Sequence, residues 1–249
     1  MKIVALLPAR LKSTRIKEKL LKNIENIPLI LHTAFRVKLC PLINKVIICT
    51  DSHKIKKLSE KNNFEVIMTK KKYLNGTERI ASIAHNIKAD LIIDVHADEG
   101  ILNPNNLNKL INFHKKNIHF DIVVPHKKSS DSKDKNVVKL IFSKNKKIIY
   151  FSRAKTPFPF KEKGNFYHHL DIISFKPKAL KNFKKLKTSY LEKIEGIELL
   201  RALENGYNIG TFEIPTTTFS INTPKDLQLA KKLIKRDGYL KKYIAKINI

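Results

Sequence analysis

Ile3-Val4-Ala5-Leu6-Leu7-Pro8-Ala9-Arg10 is the stretch whose reading decides the fold class. Five apolar residues in unbroken succession read as a strand buried on both faces, as in a parallel sheet covered by helices. The same figure recurs in Val46-Ile47-Ile48-Cys49, which runs into Thr50-Asp51, and in Glu65-Val66-Ile67-Met68. It appears a fourth time in Leu91-Ile92-Ile93-Asp94-Val95, which leads to His96-Ala97-Asp98-Glu99-Gly100. Helical periodicity fills the spaces, over residues 28–39, after a cap at Asp51 or Ser52, over 77–87, and from Pro104 onward. Strands alternating with helices predict βαβ units and an α/β fold with a mostly parallel central sheet.

After about residue 120 the pattern changes. Residues 121–124, 137–142 and 147–151 read as strands with no long helix between them, and 126–135 as a polar excursion rich in Lys and Ser. A further strand is expected over 168–175, helices over 177–186 and 189–205, a strand over 209–214 and a helix over 224–235. The expectation is one domain over residues 1–249 with an antiparallel insertion at about 121–175.

Composition excludes several classes. The chain has 249 residues, 42% of them hydrophobic, enough for a buried core. No apolar run approaches the roughly 20 residues of a membrane span, and the first ten residues are too short for a signal peptide. Two cysteines, Cys40 and Cys49, fit no metal or redox spacing, so a disulfide-stapled secreted protein is excluded and the cytoplasm is the expected compartment. Seven glycines and no G-x-G-x-x-G or P-loop leave those phosphate cradles out. The formal charge of +28 points, taken alone, to a polyanion partner. However, 43 of the 50 basic residues are Lys and there are 21 Asn, the bias of an AT-rich genome, and the charge is spread along the chain. Compositional drift therefore accounts for it, and no nucleic-acid partner is expected. Where drift replaces Arg by Lys, each remaining Arg marks a place that needs a planar, bidentate guanidinium.

Two of the seven arginines fall in the loop after the first strand. Arg10, Ser13, Arg15 and Lys19 together suit a triphosphate, and loops at the carboxyl ends of parallel strands are where α/β proteins bind ligands. Lys19 reads as a residue of a polar loop whose loss would leave no cavity. Asp98, at the end of a buried strand, is either a functional carboxylate or a loop or helix-capping one, and its position at a strand's carboxyl end favours function.

The segment Pro8-Ala9-Arg10-Leu11-Lys12-Ser13-Thr14-Arg15 with Lys19-Leu20 resembles the opening of the 3-deoxy-manno-octulosonate (Kdo) cytidylyltransferases. Further matches follow in family order: Val66-Ile67-Met68-Thr69, Asn75-Gly76-Thr77-Glu78-Arg79, His96 to Gly100, Ile149 to Ala154, His169-Leu170, Glu195 to Gly206 and Asn222 to Leu227. The resemblance implies a Rossmann-like nucleotide-diphospho-sugar transferase (GT-A-like) fold, whose antiparallel insertion serves dimerisation and sugar binding. It implies that CTP and an acidic 2-keto sugar give a CMP-sugar and pyrophosphate with Mg²⁺ as cofactor, for lipopolysaccharide or other surface glycan synthesis. Arg10, Arg15, Lys19 and Asp98 would be catalytic. Arg10, Ser13, Lys19, Asn75, Gly76, Thr77 and Arg79 would hold the nucleotide; Asp98 and Asn222 would flank the metal.

His96, Arg153, His169, Asp171 and Glu198 would face the sugar. On the residues alone, Arg153 could equally be a structural ion pair and Glu198 a helix-face partner of Arg201. Departures from the family pattern concentrate on this side: His96 and Leu199 stand for glutamines, Asp171 for a glycine, Ile173 for a tyrosine, Gly100 for a proline and Asn222 for an aspartate. That asymmetry predicts the same nucleotidyl chemistry on an altered acid sugar, with Asp171 serving either the metal or an amino group. A sibling synthetase for another nonulosonic or amino-substituted sugar, and a non-catalytic nucleotide or polyanion binder, are the competing readings.

Overall fold

A computed structural model describes residues 1–12, 16–70, 73–129, 134–216 and 220–248. In chain order its elements are β1 (Ile3–Ala9), β2 (Asn23–Ile24), β3 (Ile27–Pro28), α1 (Leu29–Lys38), β4 (Lys45–Thr50), α2 (His53–Lys61), β5 (Glu65–Met68), α3 (Gly76–Ala81), β6 (Leu91–Val95) and α4 (Pro104–Lys116). Then come β7 (Ile122–Val123), β8 (His126–Ser129), β9 (Lys139–Phe142), β10 (Ile148–Ser152), β11 (Phe166–His169) and β12 (Ile172–Phe175). The remainder is α5 (Pro177–Phe183), α6 (Tyr190–Glu195), α7 (Leu199–Glu204), β13 (Ile209–Gly210), α8 (Pro224–Arg236) and α9 (Leu240–Tyr243).

A seven-stranded sheet runs β13-β7-β12-β6-β1-β4-β5. β1 pairs in parallel with both β4 and β6, and β4 with β5; only β12 runs against its neighbours β6 and β7. β1 lies at the centre because it is apolar on both faces. Ile3, Ala5 and Leu7 enter the core beneath α1, α4 and α8, while Val4 and Leu6 enter the core beneath α3, α5 and α7. Truncating such a side chain to Ala costs about 2–5 kcal/mol. A second, antiparallel sheet, β10-β9-β11-β8, is joined to the β13 edge of the first by isolated bridges at His126–Glu213 and Lys147–Gly210.

Several expectations change in detail. The strand expected over 168–175 is two strands in different sheets, because the chain turns at Leu170-Asp171 from β11 into β12. The polar excursion contains β8, whose backbone pairs with β11 despite its Lys-rich side chains. The stretch expected as one antiparallel insertion divides, since β7 and β12 at its two ends belong to the main sheet. The helix expected over 189–205 is broken at Gly196, which adopts φ +62° and ends α6. The helix expected over 77–87 ends at Ala81, and a 3₁₀ turn over Ala84–Asn86 follows it. Ser52, not Asp51, caps α2 by accepting from Ile55 N at 3.4 Å. Among the described residues no helix is long and apolar enough to cross a membrane.

Candidate active site

The carboxyl ends of β1 and β6 open onto a cleft of about 360 Å³. One end is lined by Arg10, Lys12, Lys19, Tyr73, Asn75 and Gly76, the other by His96, Arg153, His169, Asp171 and Glu198, with Asp98 and Asn222 also on its wall. The expected site residues are thus brought to one cavity from eight separate segments. Thr77 alone among those described is turned away; Ser13 and Arg15 lie outside the described residues.

At the first end Arg10 is exposed immediately after β1. Lys19 is not the solvated loop residue expected. It opens a 3₁₀ turn and is only 9% exposed, because its ammonium bridges two loops. Nζ pairs with the Asp98 carboxylate and donates to Ile221 O at 2.7 Å and Asn222 Oδ1 at 3.5 Å. Asn75 caps α3, its Oδ1 accepting from Glu78 N at 2.8 Å. Gly76 lies against β1, where a Cβ would come within 3.0 Å of Pro8 Cγ. Thr77 is buried under the cleft floor, and its hydroxyl donates to Glu198 Oε1 at 3.1 Å. Arg79 is 3% exposed and committed to the wall: Nη2 pairs with Asp51 at 3.1 Å and Nη1 donates to Thr69 Oγ1, with Tyr73 against the guanidinium.

At the second end Asp171 sits between two imidazoles, with Oδ1 3.6 Å from His96 Nδ1 and 3.4 Å from His169 Nδ1. Ser220 hydrogen-bonds to both Asp171 and Glu99. Burial alone would lower the His96 pKa, but the carboxylates of Asp171, Asp94, Asp98 and Glu198 outweigh it and raise it to about 9. Burial pulls Asp171 the other way, yet His96, His169 and Ser220 hold it below the ordinary carboxylate range. Glu99 is pushed up to about 8 by burial and by repulsion from Asp171. Asp94, wholly buried below, is pushed up to about 7, first by burial, with Glu198 and Asp171 adding to the rise. Asp171 therefore has its partners within the protein, and it is not among the oxygens that meet at Lys19.

Arg153 spends its guanidinium on backbone carbonyls. Nε donates to Glu195 O at 2.8 Å, Nη1 to Lys135 O at 3.1 Å and Asn136 O at 3.3 Å, and Nη2 to Gly196 O at 3.3 Å. Lys139, buried beside it, donates to Asp134 O, Val137 O and Arg153 O. The two cations clamp residues 134–137 over the cleft, so Arg153 is not a free carboxylate grip, and among the described residues it forms no ion pair. Arg201 does not pair with Glu198. It forms a two-point contact with Glu192 at 2.6 Å and a further one with Glu78 at 2.7 Å, tying α3, α6 and α7 together.

The family model described as Cytidylyltransferase matches residues 4–214. The chain belongs to the cytidylyltransferase family. It is 33% identical over 246 residues to the 3-deoxy-manno-octulosonate cytidylyltransferase of Chlorobium phaeobacteroides, covering 95% of this chain and 98% of the relative. It is 35% identical to the enzyme of that name from Nitratiruptor sp., covering 90% and 96% respectively. A solved structure of CMP:2-keto-3-deoxy-manno-octonic acid synthetase complexed with CTP superposes with a TM-score of 0.90. Its identity is 27%, over 95% of this chain and all of that one.

The structure adds residues to this cytidylyltransferase site that the sequence reading did not single out. Asp51, Thr69 and Tyr73 frame Arg79; Ser220 and Glu99 buttress Asp171; Asp94 lies under Thr77. Ser220 carried no signal at all, since it is joined to Asp171 only through the fold. A metal is the remaining question. Among the described residues no group of three or more His, Cys, Asp or Glu side chains is arranged to hold one. The donors converging beside Asp98 are nonetheless all oxygens, from Asp98, Ile221 and Asn222. That set fits Mg²⁺, a hard ion that takes one or two carboxylates and completes its shell with water and substrate phosphates.

Proposed function

We propose that this cytidylyltransferase transfers CMP from CTP to a 2-keto-3-deoxy sugar acid, Kdo or a close variant. The observation that carries the reading is one cleft, in a chain of this family, with cations at the end nearest β1 and an imidazole-carboxylate cluster at the other. The anomeric hydroxyl attacks the α-phosphorus, the bond to the bridging β-phosphate oxygen breaks, and pyrophosphate leaves. Arg10, Lys12 and Lys19, with Ser13 and Arg15 of the same loop, neutralise the charge that grows on the leaving group. The backbone of Asn75 and Gly76 meets the cytosine, while Arg79 and Thr77 hold that wall from behind. His96, His169 and Glu198 face the sugar, with Asp171 orienting the two imidazoles. Mg²⁺, held through Asp98 and Asn222, supplies polarisation of the α-phosphate and a lowered pKa for the attacking hydroxyl when bound.

The experiment is pyrophosphate release by the purified protein with CTP, Mg²⁺ and a panel of acid sugars. Release with CTP and Kdo, and none with ATP or GTP, is expected; no release with any sugar sinks the assignment and leaves a nucleotide binder. An amino-substituted acid sugar is the second reading, favoured by the Glu198 carboxylate on the cleft wall, and the same panel decides it. A homodimer through the second sheet is supported by its open β10 edge and by Ile149, Phe158 and Phe160, exposed at 60%, 73% and 85%. Light scattering is expected to give twice the chain mass, and Ile149→Lys with Phe160→Asp to halve it. The cytoplasm is the proposed compartment, in keeping with two buried, unbridged cysteines.

A further inference from the structure

The ammonium of Lys19 occupies the place where three oxygens of the cleft converge. An ammonium has three N–H donors and no acceptor. Here it meets three partners: the Asp98 carboxylate, Ile221 O at 2.7 Å and Asn222 Oδ1 at 3.5 Å. They come from two chain segments, the end of β6 and the approach to α8, which the backbone bond from Ile221 N to Asp98 O (3.3 Å) holds together. The side chain reaches them from a third, the 3₁₀ turn over Lys19–Leu21, and is buried in doing so. This is a cation site already filled by the protein's own cation.

Charge counting gives the consequence. Asp98 is the single carboxylate among the three donors, and Lys19 balances it one for one. A divalent ion at the same oxygens would meet an ammonium at contact distance, with Arg10 and Lys12 lining the same end. A triphosphate reverses the balance, because its oxygens offer Lys19 stronger partners and leave Asp98 uncompensated. The neutral Asn222 belongs to the same logic, since a second carboxylate would hold a divalent ion against the ammonium.

We propose that Lys19 is the built-in counter-ion of Asp98, excluding divalent metal from the free enzyme and vacating the site for it only when a nucleotide triphosphate draws the ammonium away. Metal then enters with or after the nucleotide, never before it. The inference rests on the reading of the cleft as a Mg²⁺-dependent nucleotidyl-transfer site.

Mn²⁺ serves as the probe, titrated into the protein without nucleotide and followed through the paramagnetic resonance signal of the free ion. Lys19→Met and Lys19→Gln are expected to bind one Mn²⁺ at least ten-fold more tightly than the wild type. Adding Asp98→Asn to either is expected to abolish the gain. Circular dichroism checks that each variant is folded. Equal Mn²⁺ affinity in the wild type and the folded Lys19 variants overturns the proposal, whether both bind or neither does. So does a gain that survives Asp98→Asn, because the metal would then sit elsewhere. If neither Lys19 variant folds, micromolar Mn²⁺ binding by the wild type alone overturns it, and no binding below millimolar Mn²⁺ upholds it. Pyrophosphate release by the wild type with CTP, Mg²⁺ and Kdo reports separately on the functional reading.

Discussion

The two ends of the cleft are built on different plans. The end read as the nucleotide side is local in sequence: Arg10 and Lys12 directly follow β1, Lys19 opens a 3₁₀ turn a few residues on, and Asn75 and Gly76 begin one short helix. The end proposed for the sugar is assembled from the tail of β6, the β11–β12 corner, the break between α6 and α7 and the approach to α8. Its side chains are locked to one another before any substrate arrives. A local loop of cations recognises a polyanion by charge, which tolerates drift elsewhere. A cross-linked cluster recognises shape, and changing one member changes its neighbours.

The largest expected effect lies at the nucleotide end. Lys19→Ala is expected to lower turnover at saturating CTP by on the order of 10²-fold or more. It also lowers stability by about 1–3 kcal/mol, because Asp98 and Ile221 O lose a buried partner. A steady-state assay beside a denaturant titration checks both, and an unchanged rate removes Lys19 from the reaction. Next comes Asp171→Asn, which strips the carboxylate from between two imidazoles. A fall of about tenfold in kcat/KM for the sugar, with KM for CTP unmoved, is expected. If the CTP parameters fall equally, the two ends are not independent and the comparison breaks. Asn222→Asp is smaller again: the Mg²⁺ concentration for half-maximal rate is expected to drop by about threefold, read from a magnesium titration at fixed CTP.

The smallest effect separates the cleft from the body of the protein. His32, His114 and His126 are buried neutral, each lowered to about 4 by burial, and each is hydrogen-bonded, to Ile24 O, Phe120 O and Thr211 Oγ1 respectively. The unfolded chain takes up these protons near 6.5 while the fold resists them until about 4. Their contribution is therefore complete above pH 6.5 and lost as pH falls from 6.5 toward 4. A decline in Tm of several degrees between pH 7 and 5 is expected by calorimetry. A flat profile would mean that these histidines are not desolvated as the fold places them.

Much of this was legible in the sequence. Runs apolar on both faces announced β1, β4 and β6, and because ligands collect where such strands end, Arg10, Asp98 and His96 could be placed before any geometry was known. What periodicity cannot register is a partner distant in the chain. Lys19 looked solvated because nothing near it in sequence predicts Ile221, and β8 looked like a loop because its pairing is carried by backbone. The arginines are the instructive case. The inference that each survives where a planar fork is needed holds for Arg36, buried against Asp237, and for Arg79, Arg153 and Arg201, but the need is architectural. Among the described arginines of the matched motifs only Arg10 is left with its charge open to the cleft.

The antiparallel sheet leaves the main sheet after β7 and returns in β12, and these two strands are neighbours joined by pairing at Ser174–Val123 and Phe175–Ile122. At its neck, Leu170 N donates to Pro125 O at 3.0 Å. The chain from β8 to β11 thus enters and leaves beside itself, and further backbone bonds tie it to the β13 side: His126 N donates to Phe212 O at 3.0 Å, Ile214 N to His126 O at 2.7 Å and Thr211 N to Lys146 O at 2.9 Å. His169 and Asp171 lie at its exit, so half of the imidazole-carboxylate cluster rests on the corner between the two sheets, while Arg10, His96 and Asp98 follow strands of the main sheet. A disturbance of the second sheet is therefore expected to reach the imidazoles before it reaches the cations.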